Sequence, residues 1–211
     1  TLGHVMVLIL IAQPTKSISC GYRVMVPTMV QSLFIYPINM RFGLTTFRQH
    51  GITRADMDFM TLPDIDCRGV FGDGTHESTS LCMDWLKQNR PENKSVIDYG
   101  SGSGILSLLS YYLGASEVQA VDEDPHARDA TARNCPKAII TENPVPADIV
   151  IANVGTPDAQ ALAGTLRGLT KETLIIGGTM LGHVKALQNI YGVGEIRTRN
   201  EWAMLIYRFK G

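Results

Sequence analysis

The sequence predicts an α/β protein with a doubly wound parallel sheet, preceded by a small N-terminal region of irregular structure. Apolar strand-like runs alternate with helical segments from residue 95 almost to the end of the chain. The first of these strands, Ser95–Asp98, runs directly into a glycine-rich turn at residues 100–104. The next strand, Val118–Asp122, ends in a carboxylate. This alternation, with polar groups at strand ends, is typical of sheets that carry a ligand site at one edge.

The predicted domain spans residues 64–211, and residues 1–63 form the N-terminal region. A glycine-loosened turn opens an amphipathic helix with Leu81, Trp85 and Leu86 on its inner face. The later predicted elements are a helix at Ile105–Leu113, a helix at Pro125–Asn134, a short strand near Ala138–Thr141, a strand at Asp148–Asn153, a helix from Asp158, a strand at Thr173–Gly177, a helix at Leu181–Tyr191 and a closing strand pair near Glu195–Thr198 and Ala203–Phe209. The N-terminal region reads as a few short strands separated by prolines, and no fold can be derived for it.

Composition excludes several classes of protein. The 211 residues carry a net charge of −1, with 45% hydrophobic and 18% charged residues, which is typical of a globular domain. No run approaches the roughly 18 apolar residues of a membrane span. The apolar run Val5–Ala12 lacks a basic leader, so we expect neither membrane association nor a secretory signal. Cysteines 20, 67, 82 and 135 show no metal-like spacing, which predicts reduced thiols in the cytoplasm.

The glycine-rich turn predicts a nucleotide-cofactor loop. Gly100, Gly102 and Gly104 let the backbone approach a ligand without Cβ clashes, and the helix that follows presents free N–H groups. A dinucleotide loop needs a third glycine five residues after the first, where Ile105 stands, so NAD is disfavoured. The pattern from Asp98 to Gly104 is instead typical of S-adenosylmethionine (AdoMet) enzymes with a seven-stranded Rossmann-like sheet. An ordinary tight strand–helix turn is the alternative for the glycines alone.

Two polar side chains at strand ends support a ligand site. Asp122 can accept two ribose hydroxyl hydrogen bonds, because Asp124 is the better cap for the helix that begins at Pro125. Asn153 ends the fourth strand where it opens onto the cleft beside the first, and its amide can both donate and accept. Capping of the next turn, ahead of Gly155, is the alternative role for Asn153.

Three stretches together resemble the PrmA-type enzymes, which methylate the eleventh protein of the large ribosomal subunit. They read Phe-Gly-Asp-Gly-Thr-His-Glu-Ser-Thr from residue 71, Val-Ile-Asp-Tyr-Gly-Ser-Gly-Ser-Gly-Ile-Leu from residue 96 and Ala-Val-Asp-Glu-Asp-Pro from residue 120. The resemblance covers about residues 64–210 and implies a class I methyltransferase that uses AdoMet and no metal. By motif match it implies cofactor contacts at Thr79, Gly100, Asp122 and Asn153. The predicted cofactor site also includes the neighbouring residues Thr75, Asp98, Ser101, Gly102 and Gly104.

The first stretch departs from the resembled family, which usually has Thr where Asp73 stands and Pro where Glu77 stands. We expect Asp73, His76 and Glu77 to cluster at the cleft mouth and attract a cationic amine, with His76 or a water taking its proton. Asn153, His76 and Asp73 are therefore the predicted catalytic residues. In the alternative, Glu77 completes the first helical turn and His76 is a packed turn residue.

The sequence thus predicts an AdoMet-dependent N-methyltransferase that acts on amino groups of a protein, with a ribosomal protein as one candidate. A small-molecule amine methyltransferase and a catalytically silent AdoMet-binding subunit are the alternatives. A nucleic-acid substrate is disfavoured, because the chain after residue 55 is acidic overall. In addition, Asn153 is not followed by the Pro-Pro-aromatic run that stacks a flipped base.

Overall fold

The computed structural model describes residues 65–67 and 69–209. The short strands predicted for residues 1–63 lie outside the described residues, and the boundary at residue 64 stays a prediction. The described elements are α1 Glu77–Gln88, β1 Ser95–Tyr99, α2 Ile105–Tyr112, β2 Glu117–Val121, α3 Pro125–Asn134, β3 Ile139–Ile140, β4 Ala147–Asn153, α4 Thr156–Ala161, α5 Ala163–Leu169, β5 Thr170–Met180, a 3-10 turn Leu181–His183, α6 Val184–Tyr191, β6 Glu195–Arg199 and β7 Trp202–Arg208.

The strands form a seven-stranded sheet in the order β3-β2-β1-β4-β5-β7-β6. Strands β1 to β5 pair in parallel, whereas β7 runs antiparallel to both of its neighbours. The predicted doubly wound sheet is therefore confirmed, including the closing strand pair. Among the described residues, no helix is both long and apolar enough to span a lipid bilayer.

Apolar residues on both faces of the sheet explain why its central strands are buried. On β1, Val96 belongs to the cluster under α1 and α2, whereas Ile97 belongs to the cluster under α4 to α6. Strand β7 alternates in the same way, with Ile206 in the first cluster and Leu205 in the second. Burial of each such side chain contributes about 1.5–3 kcal/mol, which fixes the register of the strands.

Three elements differ from the prediction. The helix predicted at Leu181–Tyr191 begins as a 3-10 turn and becomes α-helical only at Val184. The helix predicted from Asp158 begins at Thr156 and is divided at Leu162, whose ψ of 5° departs from the helical value. Pro157 suits the first turn of this helix because its missing N–H needs no partner there. Strand β5 is longer than predicted and carries a register shift between Ile176 and Thr179. Gly177 and Gly178 lie at this register shift. Because they have no side chains, the end of β4 can approach β5 closely.

The sheet places the candidate site between β1 and β4. The chain adds β2 and β3 on one side of β1, then crosses to add β4 and β5 on the other. In parallel sheets a crevice forms at such a switch point, outside the carboxyl ends of the strands. Tyr99 lies beside Ala152 at these ends, and Asn153 lies beside Gly177.

Candidate active site

The glycine loop, residues 100–104, is held on the end of β2 by its own backbone. Gly100 and Ser101 both donate their N–H groups to the Val121 carbonyl, at 2.7 and 3.0 Å. Gly102 donates its N–H to the Asp122 carboxylate at 2.9 Å. Its φ is +53°, and a Cβ at this position would lie 2.6 Å from the Phe71 carbonyl oxygen. Only glycine therefore fits where the loop and the chain before α1 cross.

A small cleft opens over this loop. It is lined by Phe71, Gly72, Thr79, Gly100, Ser101, Gly102, Ile105, Leu106 and Asn153. The cleft brings together the predicted residues Thr79, Gly100, Ser101, Gly102 and Asn153, which come from α1, the glycine loop and the end of β4. Sequence reasoning missed the apolar lining by Ile105 and Leu106, although both directly follow the loop.

Asn153 lines the cleft and carries a buried hydrogen-bond acceptor that has no partner. Its Nδ2 donates to the Thr79 hydroxyl at 3.2 Å, whereas its Oδ1 is buried and has no partner. Gly155, not Asn153, stands at the N-cap of α4, so the capping alternative does not describe this side chain. Buried polar atoms are nearly always paired in proteins. The unpartnered oxygen is therefore the strongest local sign that a ligand group belongs here.

Asp98 organises the loop from below the cleft rather than lining it. The residue is 1% exposed, and its Oδ2 accepts the Ser107 N–H at 2.9 Å and the Ser107 hydroxyl at 2.6 Å. Its Oδ1 is buried without a hydrogen-bond partner. Burial raises the pKa of this carboxyl to about 6, despite the two bonds from Ser107. Asp98 thus joins β1 to α2 and fixes the loop between them.

The other predicted cofactor residues lie around the cleft. Asp122 is half-buried at the edge of the loop, and besides Gly102 it accepts the Asp124 N–H at 3.0 Å. Asp124 caps α3, as predicted. Gly104 begins α2 and packs on α3, where a Cβ would lie 2.9 Å from the Thr131 Cα. Thr75 is exposed, and its N–H and hydroxyl both donate to one Asp73 oxygen.

The chain before α1 is bound across the glycine loop. Ser103 donates its N–H to the Phe71 carbonyl at 2.9 Å and its hydroxyl to the Gly72 carbonyl. Asn134, at the end of α3, donates to the Ser103 carbonyl at 2.8 Å and accepts the Asp66 N–H at 3.1 Å. No local sequence signal identifies Asn134, because its partners are 31 and 68 residues away.

The predicted mouth residues have separate roles. His76 caps α1 by accepting the Ser78 N–H at Nδ1, which leaves Nε2 as the protonated nitrogen of the neutral ring. Glu77 lies in the first turn of α1 and accepts a hydrogen bond from Asn200 at 3.2 Å. These are the packing and first-turn roles of the alternative prediction. Asp73 presents an exposed carboxylate, and the Thr75 N–H and hydroxyl hold the pKa of that carboxyl below its usual range.

The described part of the chain contains no candidate metal site. Within residues 65–67 and 69–209, no group of His, Cys, Asp and Glu side chains is arranged to hold a metal ion. The cleft is instead lined by glycine backbone, two hydroxyl side chains, one amide side chain and three apolar side chains. Such a lining suits an organic ligand with a few polar groups.

Comparison with known sequences agrees with this geometry. The family described as ribosomal protein L11 methyltransferase (PrmA) matches residues 64–210. A ribosomal protein L11 methyltransferase of Marinomonas sp. is 33% identical over 154 residues, which cover 65% of this chain and 52% of the relative. One from Legionella pneumophila is 49% identical over 95 residues, covering 40% of this chain and 33% of the relative. The chain thus spans at most about half the length of these relatives.

Solved structures show the same fold. The ribosomal protein L11 methylase of Lactobacillus delbrueckii superposes with a TM-score of 0.63 at 21% identity, covering 68% of this chain and 83% of that one. The 16S rRNA N2 G1207 methyltransferase of T. thermophilus, solved with AdoMet and guanosine, gives a TM-score of 0.56 at 19% identity, covering 67% and 46%. These neighbours share an architecture, and an architecture alone does not define a substrate.

Proposed function

Because the chain belongs to the ribosomal protein L11 methyltransferase family, we propose that it binds AdoMet and transfers the methyl group to amino groups of a protein. Ribosomal protein L11 is the first candidate substrate, since it is the protein named for the relatives. One observation carries the proposal. The cleft at the switch point is lined by the backbone of the glycine loop and by Asn153, whose Oδ1 has no hydrogen-bond partner.

The residues around the cleft fit AdoMet as a ligand. The backbone from Gly100 to Gly102 lines the cleft, where the amino-acid end of AdoMet can approach it. Asp122 already accepts two N–H groups, and a carboxylate has about four lone-pair sites, so it can also accept ribose hydroxyls. Ile105 and Leu106 supply apolar contact. When bound, AdoMet supplies a methyl group on a positively charged sulfonium.

This chain's own contribution is to position a neutral amine. Asn153 Oδ1 can accept an N–H of the amine and so orient the nitrogen lone pair, while the Thr79 hydroxyl fixes the amide through its other end. Correct positioning can contribute roughly 7–11 kcal/mol in such reactions. An ammonium must first lose a proton, at about 1.4 kcal/mol for each pKa unit above the working pH. Since His76 Nδ1 is already an acceptor, water is the better recipient of that proton.

The proposal includes a cytoplasmic location. The cysteines of the described ranges, Cys67, Cys82 and Cys135, are free thiols. Burial raises the pKa of Cys82 to about 12 and that of Cys135 to about 11, so both stay protonated and unreactive. Free thiols support a reducing compartment.

Methyl transfer from labelled AdoMet tests the proposal. The purified chain is incubated with recombinant ribosomal protein L11 and, separately, with protein, nucleic-acid and small-molecule fractions of a cell extract. We expect label in L11, and much less label at the same AdoMet concentration with Asp122→Ala or Asn153→Ala. If only the small-molecule fraction is labelled, the substrate is a small amine and not a protein. AdoMet binding without any transfer would indicate a silent binding subunit.

A further inference from the structure

We propose that Glu77 and Asn200 are positioning residues for the methyl acceptor. Their hydrogen bond joins the first turn of α1 to the β6–β7 turn, 123 positions along the chain. The bond sets Trp202 against His76 and thereby shapes the cleft mouth, defined here as residues 71–77 with residues 200–202. This inference rests on the proposed function, because it concerns the acceptor of the same reaction.

Three rings form a row at the cleft mouth. The His76 ring lies edge-on to Phe71, with ring centroids 5.1 Å apart, and edge-on to Trp202 at 4.5 Å. Phe71 also lines the cleft and is 55% exposed. A group that enters the cleft from this side therefore passes the row. The rings belong to the loop before α1, the N-cap of α1 and the start of β7, so no single element fixes their spacing.

Polar pairs between α1 and the β6–β7 hairpin supply that spacing. Glu77 accepts from Asn200 at 3.2 Å, Asp84 from Arg199 at 2.7 Å and Gln88 from Arg197 at 2.6 Å. The helix residues follow one another at intervals of seven and four, so they share one face of α1. The three pairs together form a ladder along the length of the helix.

Only the Glu77–Asn200 pair of this ladder lies at the mouth. Glu77 directly follows His76, and Asn200 stands two residues before Trp202. Asn200 has a φ of +50°, a conformation that asparagine and glycine tolerate best. The Leu181 N–H donates to the next carbonyl, that of Glu201, at 2.9 Å. The β6–β7 turn is thus held by two contacts, a backbone hydrogen bond from Leu181 and a side-chain hydrogen bond to Glu77.

The test compares variants that remove the bond with variants that keep it. Asn200→Gly removes the amide but suits the positive φ, and Glu77→Ala removes the acceptor from the other side. Glu77→Gln keeps an acceptor oxygen without the charge. Gln88→Ala is the matched control, because it removes a pair of the same ladder at the far end of α1.

Acceptor kinetics and tryptophan exposure are measured for each variant, with recombinant ribosomal protein L11 as acceptor. We expect Asn200→Gly and Glu77→Ala to raise the KM for L11 about fivefold, the scale of one net hydrogen bond. The Kd for AdoMet should change less than about twofold. Acrylamide quenching should increase, since half-buried Trp202 loses its neighbour while Trp85 stays in the core. Glu77→Gln and Gln88→Ala should resemble the wild type.

The outcomes separate this inference from the proposed function. If the wild-type chain methylates L11 and both Asn200→Gly and Glu77→Ala keep the wild-type KM for L11, the positioning role is wrong and the proposed function stands. An equal rise in the Kd for AdoMet would also contradict it, because the effect would then be a general loss of the cleft. If the wild-type chain transfers no methyl group, both proposals fail together.

Discussion

The inner half of the cleft and its mouth are built by different means. The inner half consists of the glycine loop, Asp98 and Asp122, which are joined by backbone N–H groups and lie close together in the sequence. The mouth consists of side chains from α1, the loop before it and the β6–β7 turn. We infer that the inner half tolerates little change, whereas the mouth can vary from one acceptor to another.

The largest effect should come from Gly102→Ala in the inner half. A methyl group there would lie 2.6 Å from the Phe71 carbonyl oxygen, at a φ of +53°. Strain and the displaced backbone together predict a loss of about 100-fold in AdoMet affinity, measured by calorimetry. Gly164→Ala is the control, since nothing lies within 4 Å of its Cβ and it lies in α5. Unchanged affinity in Gly102→Ala would show that the close crossing of Gly102 and Phe71 does not shape the AdoMet site.

The buried carboxyl of Asp98 predicts a pH-dependent effect on stability. Burial raises its folded-state pKa to about 6 from the ordinary value of 3.8. Its contribution to stability is therefore fully present below pH about 4 and is lost as the pH rises through about 6. The free energy of unfolding of the wild type, relative to Asp98→Asn, should fall by about 3 kcal/mol over that range.

Urea unfolding of both chains at a series of pH values measures this difference. Other carboxyls titrate alike in the two chains and cancel in the comparison. A difference that stays constant between pH 4 and 7 would show that Asp98 has the same pKa in the folded and unfolded chains.

A neighbouring pair of acids distinguishes ligand binding from helix capping. Asp122→Ala should raise the Kd for AdoMet about 10- to 100-fold, because hydrogen bonds to a charged group contribute about 1.5–3 kcal/mol. Asp124→Ala should instead lower the free energy of unfolding by about 1 kcal/mol, since Asp124 caps α3. Calorimetry and urea unfolding measure the two effects. If Asp124→Ala weakened AdoMet binding as much, the assignment of Asp122 to the ribose would be wrong.

The smallest effect is expected at the mouth. Asp73→Asn keeps an oxygen for Thr75 but removes an exposed negative charge. Exposed charges act weakly in water, so the KM for L11 should rise only about two- to fivefold at low salt. The difference should disappear near 1 M salt, where the Debye length is about 3 Å. A salt-independent difference would place Asp73 in direct contact with the acceptor.

The inner half could be predicted from the sequence because its signals are local. Apolar strands, the glycine spacing and the carboxylates after β1 and β2 lie within about one supersecondary unit, so their order along the chain fixes their arrangement. The position of β4 beside β1, with Asn153 at the end of β4, followed from the same reasoning. The capping role of Asp124 also followed, because a proline in the first helical turn marks the cap.

The mouth could not be predicted because its contacts are distant in sequence. His76, Glu77 and Asp73 are neighbours in the chain, and that closeness suggested one site that attracts a cationic amine. In the structure Asn200 binds Glu77 and Trp202 packs on His76, so only Asp73 has no contact with the β6–β7 hairpin among the contacts of the described residues. Neither partner carries a local signal that joins it to α1.

Calorimetric titration of AdoMet into the wild type, Gly102→Ala and Asp73→Asn tests the division of the cleft most directly. We predict that the wild type and Asp73→Asn bind AdoMet with the same Kd, and that Gly102→Ala binds about 100-fold more weakly. A wild-type chain that does not bind AdoMet, or an Asp73→Asn variant that binds as weakly as Gly102→Ala, would contradict this account.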